Sequence, residues 1–134
     1  MKEIIDFLNA NPVGCLATVD DFGYPHVRPW SFMLENDGKL WFCTGNTKDV
    51  FEQLLVHPMM EFCSSSEEHM TLRIRGEIIF GIDMNIKRAI LEKNEMVKSV
   101  YKVPENLEFE IFYLKHGKAT IADLNGQLVK NVEF

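Results

Sequence analysis

The chain has 134 residues and a mass of 15.5 kDa, which suits a single domain over 1–134, since either half alone would be too small to build a good core. Its 46% hydrophobic and 25% charged residues exclude a disordered chain, and no apolar run is long enough to span a membrane. The net charge of −6 lacks the broad positive field that a nucleic acid or an anionic membrane needs, while leaving room for a local basic pocket that takes a small anion.

In chain order, Ile4, Ile5, Phe7 and Leu8 recur at helical spacing, and Asn11-Pro12 ends that helix. Val13 to Val19 reads as a strand, Asp20 to Gly23 as a turn, and Pro25 to Leu34 as a second strand. Asn36-Asp37-Gly38 is a hairpin signal before a third strand, Lys39 to Cys43. Thr44-Gly45-Asn46-Thr47 supplies helix-capping residues for a helix with Val50, Phe51, Leu54 and Leu55 on its apolar side, stopped by His57-Pro58. Met59 to Cys63 is a fourth strand and His69 to Phe80 a long fifth one. Asp83 caps a third helix reaching about Val100. Leu107 to Ala122 alternates as a last strand, with a break at His116-Gly117, and the tail from Asn125 is weakly patterned. About six strands and three helices, with tight turns between the early strands, predict a mainly β fold: a closed antiparallel barrel with peripheral helices.

The cysteines, Cys15, Cys43 and Cys63, are odd in number and form no CxxC, which argues for a reducing cytoplasm. The acidic start, Met1 to Asp6, lacks the apolar core of a secretion signal. His26, His57, His69 and His116 show no metal-binding spacing.

Two places carry chemistry. The second predicted strand sets His26, Arg28, Trp30, Phe32 and Leu34 on one face, so a buried aromatic face would bury Arg28, which then needs an anion. Alternatively, a bulge at Pro29 turns Arg28 out to solvent. Thr47 and Lys48 stand at a strand-to-helix junction, where free N–H groups and the helix dipole favour an anion. An ordinary capped helix with Lys48 in water is the competing reading. Arg73 and Arg75 lie on a polar strand face, and Cys43 reads as a packed thiol. No nucleotide loop, nucleophile elbow or positioned acid–base pair is present, so an enzyme built on this chain would draw its reactivity from a cofactor.

The ordered series Gly14-Cys15-Leu16-Ala17-Thr18-Val19-Asp20, Gly23 to Pro29, Asp37 to Thr44, Asn46-Thr47-Lys48, Gln53-Leu54, His57-Pro58 and Leu72-Arg73-Ile74-Arg75-Gly76-Glu77 resembles the pyridoxamine 5′-phosphate oxidase-like, FMN-binding split-barrel family. Its small single-domain branch, of the nitroimidazole-resistance type, is the most similar. The resemblance implies a split β-barrel homodimer with FMN at the subunit interface. It implies an FMN-dependent oxidoreductase acting on a small organic acceptor such as a nitroaromatic. A non-catalytic flavin-binding or flavin-sensing protein, and a haem-binding split-barrel protein, are the alternatives. Carried over by position, Arg28, Thr47 and Lys48 would hold the FMN phosphate, and Pro29, Trp30, Phe42, Cys43 and Thr44 would flank its ring. Trp30, Trp41 and the strand Phe109 to Tyr113 are expected to give apolar surface to the partner copy. The tail, whose only basic residue from Asn125 onward is Lys130, lacks the basic clamp of true pyridoxamine phosphate oxidases, so oxidation of that substrate is expected to be negligible.

Overall fold

A computed structural model describes residues 1–134. The elements are α1 (Lys2–Ala10), β1 (Val13–Val19), β2 (Pro25–Ser31), β3 (Leu34–Asn36), β4 (Lys39–Gly45), α2 (Asp49–Val56), β5 (Met59–Ser65), β6 (Thr71–Glu77), β7 (Ile79–Gly81), α3 (Met84–Lys93), α4 (Glu95–Tyr101), β8 (Phe109–Leu114), β9 (Lys118–Ala122) and β10 (Leu128–Glu133). The strands form two antiparallel sheets, one of order β10-β9-β6-β5-β1-β2 and one of order β3-β4-β8-β7. The barrel is therefore split, and the expectation of a closed one is corrected: no ladder joins the two sheets edge to edge.

The sheets are joined by chain segments that change sheet at a corner. After β2, the Phe32 N–H donates to Pro12, just ahead of β1 in the first sheet (2.8 Å), and the Met33 N–H donates to Trp41 in the second (3.0 Å). The single strand expected from Pro25 to Leu34 is thus two, divided at two consecutive buried residues. The strand expected from His69 to Phe80 divides likewise at Ile78, whose N–H donates to Pro58. A third corner lies between β8 and β9. There Gly76 and Gly117 let two backbones cross: a Cβ on Gly117 would lie 2.5 Å from the Arg75 carbonyl oxygen.

The hairpin between β3 and β4 turns through Asp37 and Gly38, both at positive φ, as its sequence predicts. Asp83 caps α3 by accepting from the Asn85 and Ile86 N–H groups. The helix expected to run on to Val100 breaks at Asn94, whose side chain caps α4 by accepting from the Val97 N–H. The weakly patterned tail forms β10, an edge strand whose Leu128 and Val129 are exposed.

Two apolar interiors result. The larger holds 17 buried residues between the sheets, α1 and α2, centred on Phe42, which stands 5.3 Å from Phe62 and 5.7 Å from Phe112, centroid to centroid. The smaller holds nine, where α3 and α4 cover the second sheet over Trp41, Cys43, Phe109 and Ile111. Each fully buried large apolar side chain contributes roughly 1.5–3 kcal/mol. Trp41, Phe109, Ile111 and Phe112 are thereby used inside the chain, so they are not the outward apolar surface expected of them. No helix is long and apolar enough to cross a membrane.

Candidate functional site

The Arg28 environment follows from the pairing of β1 and β2. Their register runs unbroken from Val13 opposite Ser31 to Val19 opposite Pro25, so no bulge at Pro29 turns Arg28 outward. The half-buried guanidinium lies against α2. It donates to Thr18 Oγ1 (2.8 Å), to Gln53 Oε1 (2.9 Å) and, more weakly, to the Leu16 carbonyl (3.3 Å). These acceptors and the more distant His26 carbonyl (3.5 Å) are all neutral, and no carboxylate oxygen lies within 4.0 Å. Burial pulls the Arg28 pKa down, and Asp49 opposes this.

Lys48 is the N-cap residue of α2, with an extended backbone and no side-chain oxygen to offer. The expected capping by Thr44 to Thr47 does not occur: the loop folds one residue further, and no side chain caps the helix. The first N–H groups of α2 therefore lack side-chain acceptors, the condition under which a helix start favours an anion. The Lys48 ammonium, also without a carboxylate within 4.0 Å, stands 5.5 Å from the centroid of the Trp30 ring.

Lys48 and Trp30 share an open groove of about 260 Å³ with Pro29, Ser31 and Met33 on one side, Cys43 and Thr44 at the floor, and α4 opposite. Asn94, Met96, Val97, Val100 and Tyr101 form that far wall. Of the residues expected at a site, Pro29, Trp30, Cys43, Thr44 and Lys48 meet here. Thr47 is exposed on the loop before Lys48, and Arg28 lies behind the groove against α2. Phe42 does not reach the groove. The alternation of β4 sends it into the larger interior, where it has no exposed surface. The α4 wall is not legible in the sequence, where this stretch reads only as the end of the third helix.

Burial pushes the Cys43 thiol up to about 12, against the opposing pull of Lys48, so it stays protonated at neutral pH. Burial also raises Tyr101, which stacks on Phe109 at 4.8 Å. The groove thus offers an apolar slot with neutral walls, one cation at its mouth and a second behind. That arrangement suits a planar ring carrying an anionic tail. Its volume falls below the roughly 300–1,000 Å³ of complete small-molecule sites. Those donors and that slot fit FMN.

Comparison with curated proteins gives no match. A NimC/NimA family protein from Clostridium acetobutylicum is similar in structure, with a TM-score of 0.88 and 27% identity over 100% of this chain and 93% of that one. A pyridoxamine 5′-phosphate oxidase-related, FMN-binding protein from Nostoc punctiforme superimposes with a TM-score of 0.62 at 14% identity, over 99% of this chain and 91% of the other. A haem-binding protein from Mycobacterium smegmatis shares the fold with a TM-score of 0.72 at 15% identity, over 98% of this chain and 56% of its own. The sequence profile of pyridoxamine 5′-phosphate oxidase matches residues 1–90, more than half of the chain. With its two-sheet split barrel, the chain belongs to the pyridoxamine 5′-phosphate oxidase family.

Proposed function

We propose that the groove beside β2 holds FMN and that the protein is an FMN-dependent oxidoreductase acting on a small organic acceptor, with nitroaromatics the first class to try. The observation that carries this reading is the pair of cations flanking an uncapped helix start, neither with a carboxylate within 4.0 Å, Asp49 in the first turn acting on Arg28 only from farther off. Lys48 would bind the phosphate directly, with the Thr47 hydroxyl beside it. Arg28 would exchange a neutral acceptor for a phosphate oxygen, a charge-assisted bond about twice as strong. Pro29 and Trp30 on one side, with Cys43 and Thr44 below, would hold the ring. The protonated Cys43 adds no charge there. FMN, when bound, supplies the electron transfer that no side chain here can perform.

A second copy of the chain would complete the site. The groove is too small to enclose a flavin, and Met96 and Val100 on its lip are 78% and 60% exposed. The cytoplasm is the compartment that suits three free thiols.

The haem-binding relative favours a second reading, haem in the same groove. No histidine lines the groove, and its one thiol is protonated, so an axial ligand is wanting. Absorption separates the two: a flavin band near ~450 nm against a Soret band.

The test is a titration of FMN and riboflavin against the wild type, Arg28→Gln and Lys48→Gln, with circular dichroism to confirm folding. Loss of one charge-assisted bond, about 1.5–3 kcal/mol, should weaken FMN roughly tenfold to a hundredfold and leave riboflavin nearly unchanged. Equal loss for both flavins would reject the phosphate assignment. A monomeric mass by light scattering with flavin bound would reject the shared site.

A further inference from the structure

The outward face of the six-stranded sheet carries a row of directly opposed residues that runs Pro29, Cys15, Cys63, Arg73 and Thr120 across β2, β1, β5, β6 and β9. Two of the three cysteines in the chain are therefore nearest neighbours on one face, although 48 positions separate them in sequence (63 − 15). Cys15 is exposed and Cys63 half-buried beside it. Directly opposed residues of an antiparallel pair stand roughly 4.5–5.5 Å apart at Cα. A disulfide takes roughly 4.4–6.8 Å. The strands are pressed together at this point: a Cβ on Gly14 would lie 2.1 Å from the Cys63 carbonyl oxygen, so only glycine fits beside the pair.

We propose that Cys15 and Cys63 form a reversible redox site, closed to a cross-strand disulfide by hydroperoxides. The exposed Cys15 thiol reacts first. Its sulfur takes one peroxide oxygen as the O–O bond breaks, giving a sulfenic acid and one water. The Cys63 sulfur then attacks that sulfenic sulfur, the S–O bond breaks, and a second water leaves as the S–S bond forms. Two thiols and one hydrogen peroxide thus give one disulfide and two waters. Burial raises the Cys63 thiol while Arg73, its other cross-strand neighbour, lowers it. Burial prevails, so the Cys63 thiol is not the one that meets peroxide first and is left the resolving step, in which its partner is already activated. Cys43, buried on the far side of a different sheet, takes no part. The proposal is independent of the FMN reading.

The full-length protein is treated with a small excess of hydrogen peroxide, unfolded, and its free thiols counted. The count should fall from the three of the sequence to one, with a mass loss of about 2 Da, monomer mobility on a non-reducing gel, and recovery with dithiothreitol. Cys43→Ser should still lose two thiols. In Cys63→Ser the sulfenic acid on Cys15 should persist and be trapped by dimedone, while Cys15→Ser should give neither product. An unchanged thiol count in the wild type would overturn the proposal. So would a disulfide-linked dimer, or loss of bridge formation in Cys43→Ser.

Discussion

Alternate residues of β4 enter two interiors that are closed in different ways. Leu40 and Phe42 point between the sheets, where α1 and α2 complete the packing and Phe42 meets Phe32, Phe62 and Phe112. Trp41 and Cys43 point the other way, under α3 and α4, and there the cover stops short. Beyond Cys43 the groove opens, its lip carries exposed methionine and valine, and Lys48 stands at the mouth. A sealed interior spends its apolar surface on stability. An unsealed one keeps apolar surface in water, which is favourable only where something else covers it. By the two-residue period of its side chains, one strand thus serves both the sealed interior that holds the fold and the open groove proposed to take the flavin.

The largest effect should come from breaking the sealed side. Phe42→Ala removes a fully buried ring with three aromatic neighbours and should cost about 3–5 kcal/mol in urea denaturation. Met96→Ala, on the open side, should change stability by no more than about 0.5 kcal/mol and instead weaken flavin binding. Similar destabilisation by both would erase the distinction between the two interiors.

Next in size is the lid of the smaller interior. Asp83 accepts two backbone N–H groups at the start of α3, so Asp83→Ala should cost about 1 kcal/mol and lower the melting temperature. Because α3 carries Ile86, Ile90 and Leu91 into that interior, hydrogen exchange should quicken in α3 and α4 before it does in β5 or β6. Uniform quickening would mean that the two interiors unfold as one.

These elements differ in how plainly the sequence announces them. Asp83, the Asp37-Gly38 turn and the strand Val13–Val19 are local signals, set by capping, positive φ and alternation, and each appears where it is read. The corners at Phe32-Met33 and at Ile78 are not local. Apolar residues continue through them because a strand that changes sheets stays buried on the way, so the pattern reads as one long strand. The tail strand β10 is illegible for the opposite reason, since Leu128 and Val129 face water and only Val132 packs against the larger interior. At the site, Arg28 stands out in the sequence as a charge on an aromatic strand face and Lys48 as a cation at a helix start. The α4 wall was invisible, because only the fold places it opposite β2.

Arg73 supplies a cation that the fold has already satisfied, and it sharpens the contrast with Arg28. Its guanidinium donates to Glu61 Oε2 at 2.6 Å in a solvent-exposed pair, so Arg73→Gln should cost between about 0 and 1 kcal/mol, less at high salt. FMN affinity should not move. A tenfold loss of FMN in Arg73→Gln would show that the outward face of the sheet also reaches the flavin.

At neutral pH the smallest effect belongs to Cys43, and it grows only in alkali. Burial raises its thiol from 9.0 to about 12 in the folded chain. Below pH 9 the thiol is protonated in both folded and unfolded states, so it adds no pH dependence. Between pH 9 and about 12 the unfolded chain releases the proton and the folded chain keeps it. The unfolded state then binds fewer protons, and stability falls as pH rises. The slope is at most about 1.4 kcal/mol per pH unit, or roughly 1 kcal/mol between pH 9 and 10, where the titration is only beginning. Tyr101, also raised by burial, bends stability the same way at higher pH, so the measurement is a difference. Cys43→Ala should remove about 1 kcal/mol of the alkaline decline seen in wild type between pH 9 and 10, whatever it does to stability at pH 7. In the folded protein at pH 8, a thiol reagent should reach Cys15 readily and Cys43 only after unfolding. Fast modification of Cys43, or parallel pH–stability curves for the two proteins, would mean that the Cys43 sulfur itself is open to solvent and that the smaller interior opens well beyond the lip of the groove.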